Sequence, residues 1–265
     1  MSRVIFLTSD SLRHKYIAAQ LSEYFDLKLI ITEKKSIKIE DTTDLTEEDA
    51  AFTAKHFKAR AESESSFFSA YTSFPKGVKC VNLEHRKINT EAVLDTINKV
   101  KPHRIILFGT SIIKNPLLQK YTGKIINLHL GLSPYYKGSA TNLFPVIYNE
   151  ISCIGATIHI VNEKVDQGPI LHQLRPEIKT SDILHDLGNK VIHQSGKELP
   201  VIIQKHIDKA SIGVIQTQKG KVFRLKNLTT SLLRKAYINI EKGAIDNYLK
   251  NKEATDKEYP IITLL

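Results

Sequence analysis

Two cysteines are all that the 265-residue chain contains. Cys80 and Cys153 each stand alone in an apolar, strand-like context, without the paired spacing of a metal site or the density of a disulfide-stapled secreted domain. Both are expected to be reduced and buried. The ten histidines form neither HExxH nor a Cys–His framework, so a zinc enzyme is not expected and no metal site is assigned. A Walker loop is missing too. The segment after the first strand-like run reads Thr8-Ser9-Asp10-Ser11-Leu12-Arg13-His14 rather than GxGxxG. The usual glycine-rich phosphate cradle is therefore lacking there, although Ser9 and Ser11 beside Arg13 could hold a phosphate; N-capping by Ser9 or Asp10 is the alternative. No apolar run reaches the roughly 18 residues of a membrane span, and Met1-Ser2-Arg3 leads straight into a strand-like run. A cytoplasmic protein without a membrane partner is the expectation. Internal repeats and low-complexity linkers are also lacking.

What is present alternates between two periodicities. Residues 3–8, 27–32, 78–81 and 104–108 read as strands, whereas Leu12, Tyr16, Ile17 and Leu21 recur at helical spacing. Thr46 with Asp49 resembles a helix-capping box, and the helix it opens carries Phe52, His56, Phe57, Phe67 and Phe68 for docking. Asn89 is expected to cap a helix with Val93, Ile97 and Val100 on one face. Strands alternating with helices imply an α/β fold: a mostly parallel, doubly wound (Rossmann-like) sheet covered on both faces. Sites on such sheets form outside the carboxyl ends of the strands.

The stretch from Ile126 to Ile170 carries the chemistry. Residues 125–128 form a short apolar run after a Gly-Lys turn, so Asn127 and His129, two apart, project from one face at a strand end. Pro134 and Gly138 then shape a tight loop. A second strand spans 155–161, with Ala156, Ile158 and Ile160 alternating with Thr157, His159 and Val161, and Asp166 follows on a turn. An imidazole able to take a proton, a carboxylate able to orient it and an amide N–H able to bond a developing oxyanion suit acyl transfer to an amine. Alone, an Asn-x-His pair also reads as a turn-capping Asn beside a hydrogen-bonded His.

The segment resembles the formyltransferase family that uses 10-formyltetrahydrofolate, including methionyl-tRNA, glycinamide ribonucleotide and sugar N-formyltransferases. The family pattern maps onto Asn127, His129, Pro134, Gly138, Gly155, Thr157, Asp166 and Gly168. The resemblance implies that Asn127, His129 and Asp166 are catalytic. It also implies that the donor lies between the 106–112 run, with Ile106, Phe108, Gly109 and Ile112, and the turn bearing Val165, Gln167 and Gly168. The 106–112 run departs from the family in lacking its Tyr-Gly and following Pro. On this reading residues 1–205 are the catalytic domain and 206–265 a short mixed C-terminal extension, hairpin plus helices.

The later segments complete that expectation. Residues 170–174 read as a strand, and Thr180 to Asp182 cap a helix bearing Ile183, Leu184, Leu187, Val191 and Ile192 that Gly196 and Pro200 break or kink. His185 and His193 on that helix read as surface or supporting residues. Residues 212–216 and 221–225 flank Thr217-Gln218-Lys219-Gly220 as a hairpin, followed by helical stretches at 231–240 and 243–249.

The net charge of +10 favours anionic partners, and residues 201–265 hold twelve Lys and Arg against six Asp and Glu. Solvated lysine-rich helices explain the same excess. Lys219, Lys221, Arg224, Lys226, Arg234 and Lys235 form the best anion-binding candidate. Three acceptors compete by resemblance. A tRNA is disfavoured because about 60 remaining residues are too few for a C-terminal barrel, and glycinamide ribonucleotide is disfavoured by the missing glycine loop. The expected partner is a small-molecule amine, an amino sugar linked to a nucleotide, with Tyr135, Tyr136 and Phe144 lining it or else packing the core; a homodimer is compatible. Rival classes are a non-catalytic module binding folate or a nucleotide sugar, and a hydrolase of the formyl donor.

Overall fold

The computed structural model describes residues 1–36, 43–209, 212–218 and 220–264. In chain order the elements are β1 (Arg3–Thr8), α1 (Leu12–Tyr24), β2 (Asp26–Glu33), α2 (Glu47–Phe68), β3 (Lys79–Leu83), α3 (Glu91–Val100), β4 (Arg104–Leu107), α4 (Leu117–Lys120) and β5 (Ile125–His129). They continue with β6 (Tyr136–Gly138), α5 (Phe144–Ile147), β7 (Ala156–Ile160), β8 (Ile170–Leu174), α6 (Leu184–Lys209), β9 (Lys221–Phe223), α7 (Thr230–Glu241) and α8 (Ala244–Glu258). The main sheet runs β3-β2-β1-β4-β5-β7-β8. Its first five strands are parallel, and β7 pairs antiparallel with both β5 and β8.

Alternation along each strand divides the core into two layers. Val4, Phe6, Ile30, Ile106 and Ile126 face one side, where Tyr16, Ile17 and Leu21 of α1 and Val191, Leu199 and Ile203 of α6 cover them. Ile5, Leu7, Leu29, Ile31, Ile105 and Ile125 face the other and meet Val93, Leu94 and Ile97 of α3 with Leu117 and Leu118 of α4. Both faces of β1, β2, β4 and β5 are thus buried, in keeping with their largely apolar sequences. Thr46 caps α2 as expected, its hydroxyl accepting from the Asp49 N–H at 3.2 Å.

Five local expectations are corrected. Cys153 is buried but Cys80 is exposed, because β3 is the sheet's outer strand. Asn89 does not cap α3, whose N-cap is Thr90; its amide instead bonds Ile112 O and Lys114 N, pinning the loop after β4. The N-cap of α1 is Ser11, not Ser9 or Asp10. Gly196 and Pro200 do not end α6. The helix runs through both, since buried Leu199, Ile202 and Ile203 outweigh the lost Pro200 bond, and Gly196 is where the Tyr16 ring packs onto the helix. Finally, 212–216 and 221–225 form no hairpin among the described residues. Val214 instead bridges Ile170 of β8, and β9 pairs parallel with β6.

His185 is half-buried in a contact that couples stability to pH. His56 Nδ1 and His185 Nε2 lie 3.1 and 3.0 Å from the Tyr237 hydroxyl, with the two rings 4.7 Å apart. Burial, then each ring's cationic neighbours, pushes both pKa values from 6.5 down to about 4. The folded state therefore rejects protons that the unfolded chain takes up. Stability should be fully present above about pH 6.5 and fall as pH drops toward 4, at ~1 kcal/mol per pH unit for each ring. Urea denaturation of the wild type and His56→Gln between pH 4.5 and 7.5 checks this: the variant should show the shallower dependence.

Candidate active site

The carboxyl end of β5 meets the amino end of its antiparallel neighbour β7 in a register that sets Asn127 opposite His159 and His129 opposite Thr157. Side chains of directly opposed residues share a face, so Asn127, His129 and His159 point into one space. Asp166 enters from the turn after β7 with φ 51°, a left-handed conformation that Asp tolerates better than most residues. Its side chain is only 10% exposed.

Asp166 is the hub. One carboxylate oxygen accepts from the Gly138 N–H at 2.8 Å and lies 3.4 Å from His129 Nδ1. The other lies 3.4 Å from Asn127 Nδ2 and 3.5 Å from His159 Nε2. His159 Nδ1 is 3.0 Å from the Ile160 carbonyl, and its Nε2 sits 3.1 Å from Asn127 Nδ2 and beside the carboxylate. That fixes the Asn127 carboxamide. Burial opposes ionisation of Asp166, but the His129 and His159 rings and the Gly138 N–H outweigh it and hold its pKa well below the usual carboxylate range.

His129 is 6% exposed, with Nε2 3.0 Å from the Tyr136 carbonyl. Both of its nitrogens therefore face acceptors, and a second proton would turn both contacts into hydrogen bonds. Burial nevertheless lowers its pKa, an effect that Asp166 and the Tyr136 carbonyl oppose without cancelling. The ring is held neutral beside a carboxylate that would welcome its cation. Such a pair can accept a proton from a nucleophile and return it.

The residues expected around a donor divide. Ile106 is fully buried in the core and Phe108, 3% exposed, packs on His14 at 4.9 Å, so neither side chain lines a crevice; both face the layer under α1. Gly109 is partly buried, Ile112 is 59% and Val165 37% exposed, Gln167 is half-buried and Gly168 buried against Ile160. Tyr136 and Phe144 are likewise core residues, stacked on Phe223 at 5.2 and 4.2 Å; Tyr135 bonds Pro260 O. The basic cluster also splits: Lys219 lies outside the described residues, Lys221 pairs with Glu150, and Arg234 pairs with Glu48 and Asp49. His159 was not singled out from sequence. Its only signal there is an alternating position on a strand, since the register that opposes it to Asn127 is a property of the sheet. An open groove of about 650 Å³ beside α8, lined by Arg175, Lys250 and Asp256, shares no residue with this cluster. The site is placed by its chemistry, not by concavity.

A family model described as formyl transferase matches residues 2–203. The chain belongs to the formyl transferase family. Relatives include the trifunctional purine biosynthetic protein adenosine-3 of Homo sapiens, 32% identical over 116 residues, which cover 43% of this chain and 11% of that protein. The phosphoribosylglycinamide formyltransferase of Bacillus subtilis is 29% identical over 123 residues, covering 46% of this chain and 63% of its own length. The matched stretch spans only 13% of the similar protein from Gallus gallus. Solved structures share the fold. A 4-N formyltransferase from Francisella tularensis has a TM-score of 0.56 at 17% identity, covering 89% of this chain and 87% of that one. Glycinamide ribonucleotide transformylase 1 from Symbiobacterium toebii has a TM-score of 0.56 at 19% identity, covering 83% and 92%. No helix among the described residues is long and apolar enough to cross a membrane.

Proposed function

We propose that the chain moves a formyl group from 10-formyltetrahydrofolate to the primary amine of a nucleotide-linked amino sugar. The observation that carries formyl transfer is the convergence of Asn127, His129 and Asp166 on one space within 3.5 Å contacts. The donor supplies an activated formyl carbonyl. The amine nitrogen bonds to the formyl carbon while His129 and Asp166 together take its proton, the carboxylate stabilising the imidazolium that results; as the carbon's bond to the donor nitrogen breaks, the pair returns that proton to the departing tetrahydrofolate nitrogen. Asn127 offers an N–H to the developing oxyanion, exchanging its long 3.4 Å contact with Asp166 for the incoming oxygen. His159 holds the amide in that orientation. Gly109, Ile112, Val165 and Gln167 are the parts of the expected donor crevice left at or near the surface.

The start of α1 bears on the acceptor. The Ser11 N–H bonds His14 Nδ1 at 3.2 Å, and the Arg13 N–H bonds Glu64 Oε1 at 3.1 Å while the Arg13 guanidinium pairs with the same carboxylate. A helix start is an anion site when its N–H groups are free. Here an internal carboxylate fills it, which disfavours a substrate whose phosphate must sit there, glycinamide ribonucleotide included. Cations remain nearby: exposed Lys35 bonds Gly109 O, with Arg13 and Arg60 beside it. They suit a diphosphate held further out from the helix start.

Incubation with 10-formyltetrahydrofolate and a panel of amines, read by mass spectrometry and tetrahydrofolate release, tests the reading. Nucleotide-linked amino sugars should gain one formyl group, and Asp166→Asn should lose the activity. Binding of donor without release of tetrahydrofolate on any amine would make the protein a sensor; formate release without amine would make it a hydrolase; formylated glycinamide ribonucleotide would overturn the acceptor.

A further inference from the structure

Residues 212–218 and 220–223 form a strap that crosses from the sheet edge to the loop after β5. One end is fixed where Val214 and Ile170 exchange both backbone hydrogen bonds at 2.8 Å. The other is fixed where β9 pairs with β6, with Ser139 N bonding Phe223 O at 2.9 Å and Lys221 N bonding Tyr135 O at 3.2 Å. Backbone contacts thus anchor both ends of the strap, and at the second the Phe223 ring also stacks on Tyr136 and Phe144. Between the anchors, the Gln216 side chain turns inward. Gln216 Nε2 donates to the Asp166 carbonyl at 3.1 Å and to the Gly168 carbonyl at 2.8 Å, spanning the turn that carries the hub carboxylate.

The orientation of that amide is set by the turn alone. Two carbonyls can be served only by the NH2 end, and Gln216 Oε1, buried, has no partner among the described residues. Asp166 itself sits at φ 51°, so its carboxylate reaches Gly138, His129 and Asn127 only while the turn keeps a conformation that costs energy. Within the turn, Gln167 N lies 3.3 Å from Lys164 O, Asn162 Nδ2 lies 3.4 Å from Gln167 O and Lys164 N lies 3.0 Å from Asn162 Oδ1, while the Ile160 N–H on Pro169 O at 2.9 Å closes its base. Gln216 is what ties the Asp166 and Gly168 carbonyls to each other from outside the turn.

We infer that Gln216 is a positioning residue, a clamp from the C-terminal strap that holds the Asp166 turn so that the carboxylate faces His129 and Asn127. The inference rests on the roles proposed above for Asp166 and His129. It makes the strap, which lies beyond the region matched by the family model, part of the site.

The variants are Gln216→Met, which keeps length and loses both donors, and Gln216→Glu, which sets oxygen against two carbonyl oxygens. His129 faces Asp166 and His159, with Lys137 also near the carboxylate, so its ring reports where that carboxylate is. NMR titration of the His129 ring, assigned by loss of its signal in His129→Asn, is compared among wild type, Gln216→Met and Asp166→Asn, alongside kcat and the donor KM. With the carboxylate swung away, His129 should titrate at lower pH in Gln216→Met, in the direction Asp166→Asn produces. Its kcat should fall ~10- to 100-fold, Gln216→Glu should fall further, and melting temperatures should change little. Unchanged titration overturns the clamp even where kcat drops, since the turn would then only line the donor. If wild type formylates no amine, the proposed function fails separately and the titration still decides the clamp.

Discussion

Replacing His129 by asparagine should lower turnover at least ~100-fold with the fold retained. The ring is buried, yet its contacts are two polar ones, to the Tyr136 carbonyl and to Asp166. An asparagine amide can donate to one of these acceptors, so little polar burial is left uncompensated. It cannot carry a proton away from an amine. Steady-state kinetics with saturating donor and amine, beside urea denaturation, separates the two properties. Near wild-type kcat in a well-folded variant would remove His129 from the proton path and leave Asp166 as the remaining base. Because His129 and Asp166 act as one proton-accepting pair, the double variant with Asp166→Asn should lose little beyond the more damaging single change.

The Asn127–His129 pair was legible in the sequence because strand geometry is local: a spacing of two fixes a shared face whatever the neighbours do. The capped start of α2 and the alternating strands were legible for the same reason. Contacts between residues far apart in sequence were not. His159 joins the cluster only through the antiparallel register of β5 with β7, and Glu64 fills the start of α1 from a helix some fifty residues away. The missing hairpin shows the competition directly: residues 221–223 are apolar enough for local pairing, but Tyr136–Gly138 offers an unpaired edge and Phe223 gains the Tyr136–Phe144 stack. Pro200 shows the same override inside a helix. Local breakers lose where buried apolar neighbours on the continuing helix are numerous.

Gly168→Ala should both destabilise the protein and cut activity, by steric means alone. A Cβ at Gly168 would lie 1.6 Å from the Ile160 carbonyl oxygen and 2.8 Å from its carbon, with His159 Nδ1 at 3.3 Å. The first two are backbone atoms of β7, a strand paired on both sides. Ile160 is held from both sides, its N–H on the Pro169 carbonyl at 2.9 Å and its carbonyl against His159. The turn must therefore move away from β7, carrying Asp166, two residues upstream, away from Asn127 and His159. Overpacking of this kind costs about 1–3 kcal/mol, and a displacement of ~1 Å at a reacting group is worth about 100-fold in rate. Gly188 supplies the control: it lies within α6, and an added Cβ would have nothing within 4 Å. Gly188→Ala should gain up to ~1 kcal/mol from helix propensity, with kcat unchanged. Denaturation midpoints and kcat for the two alanine variants should therefore move in opposite directions for stability, and apart in turnover only at Gly168. If Gly168→Ala is as stable and as active as wild type, the turn is not packed on β7 as described, and the placement of Asp166 against His129 goes with it.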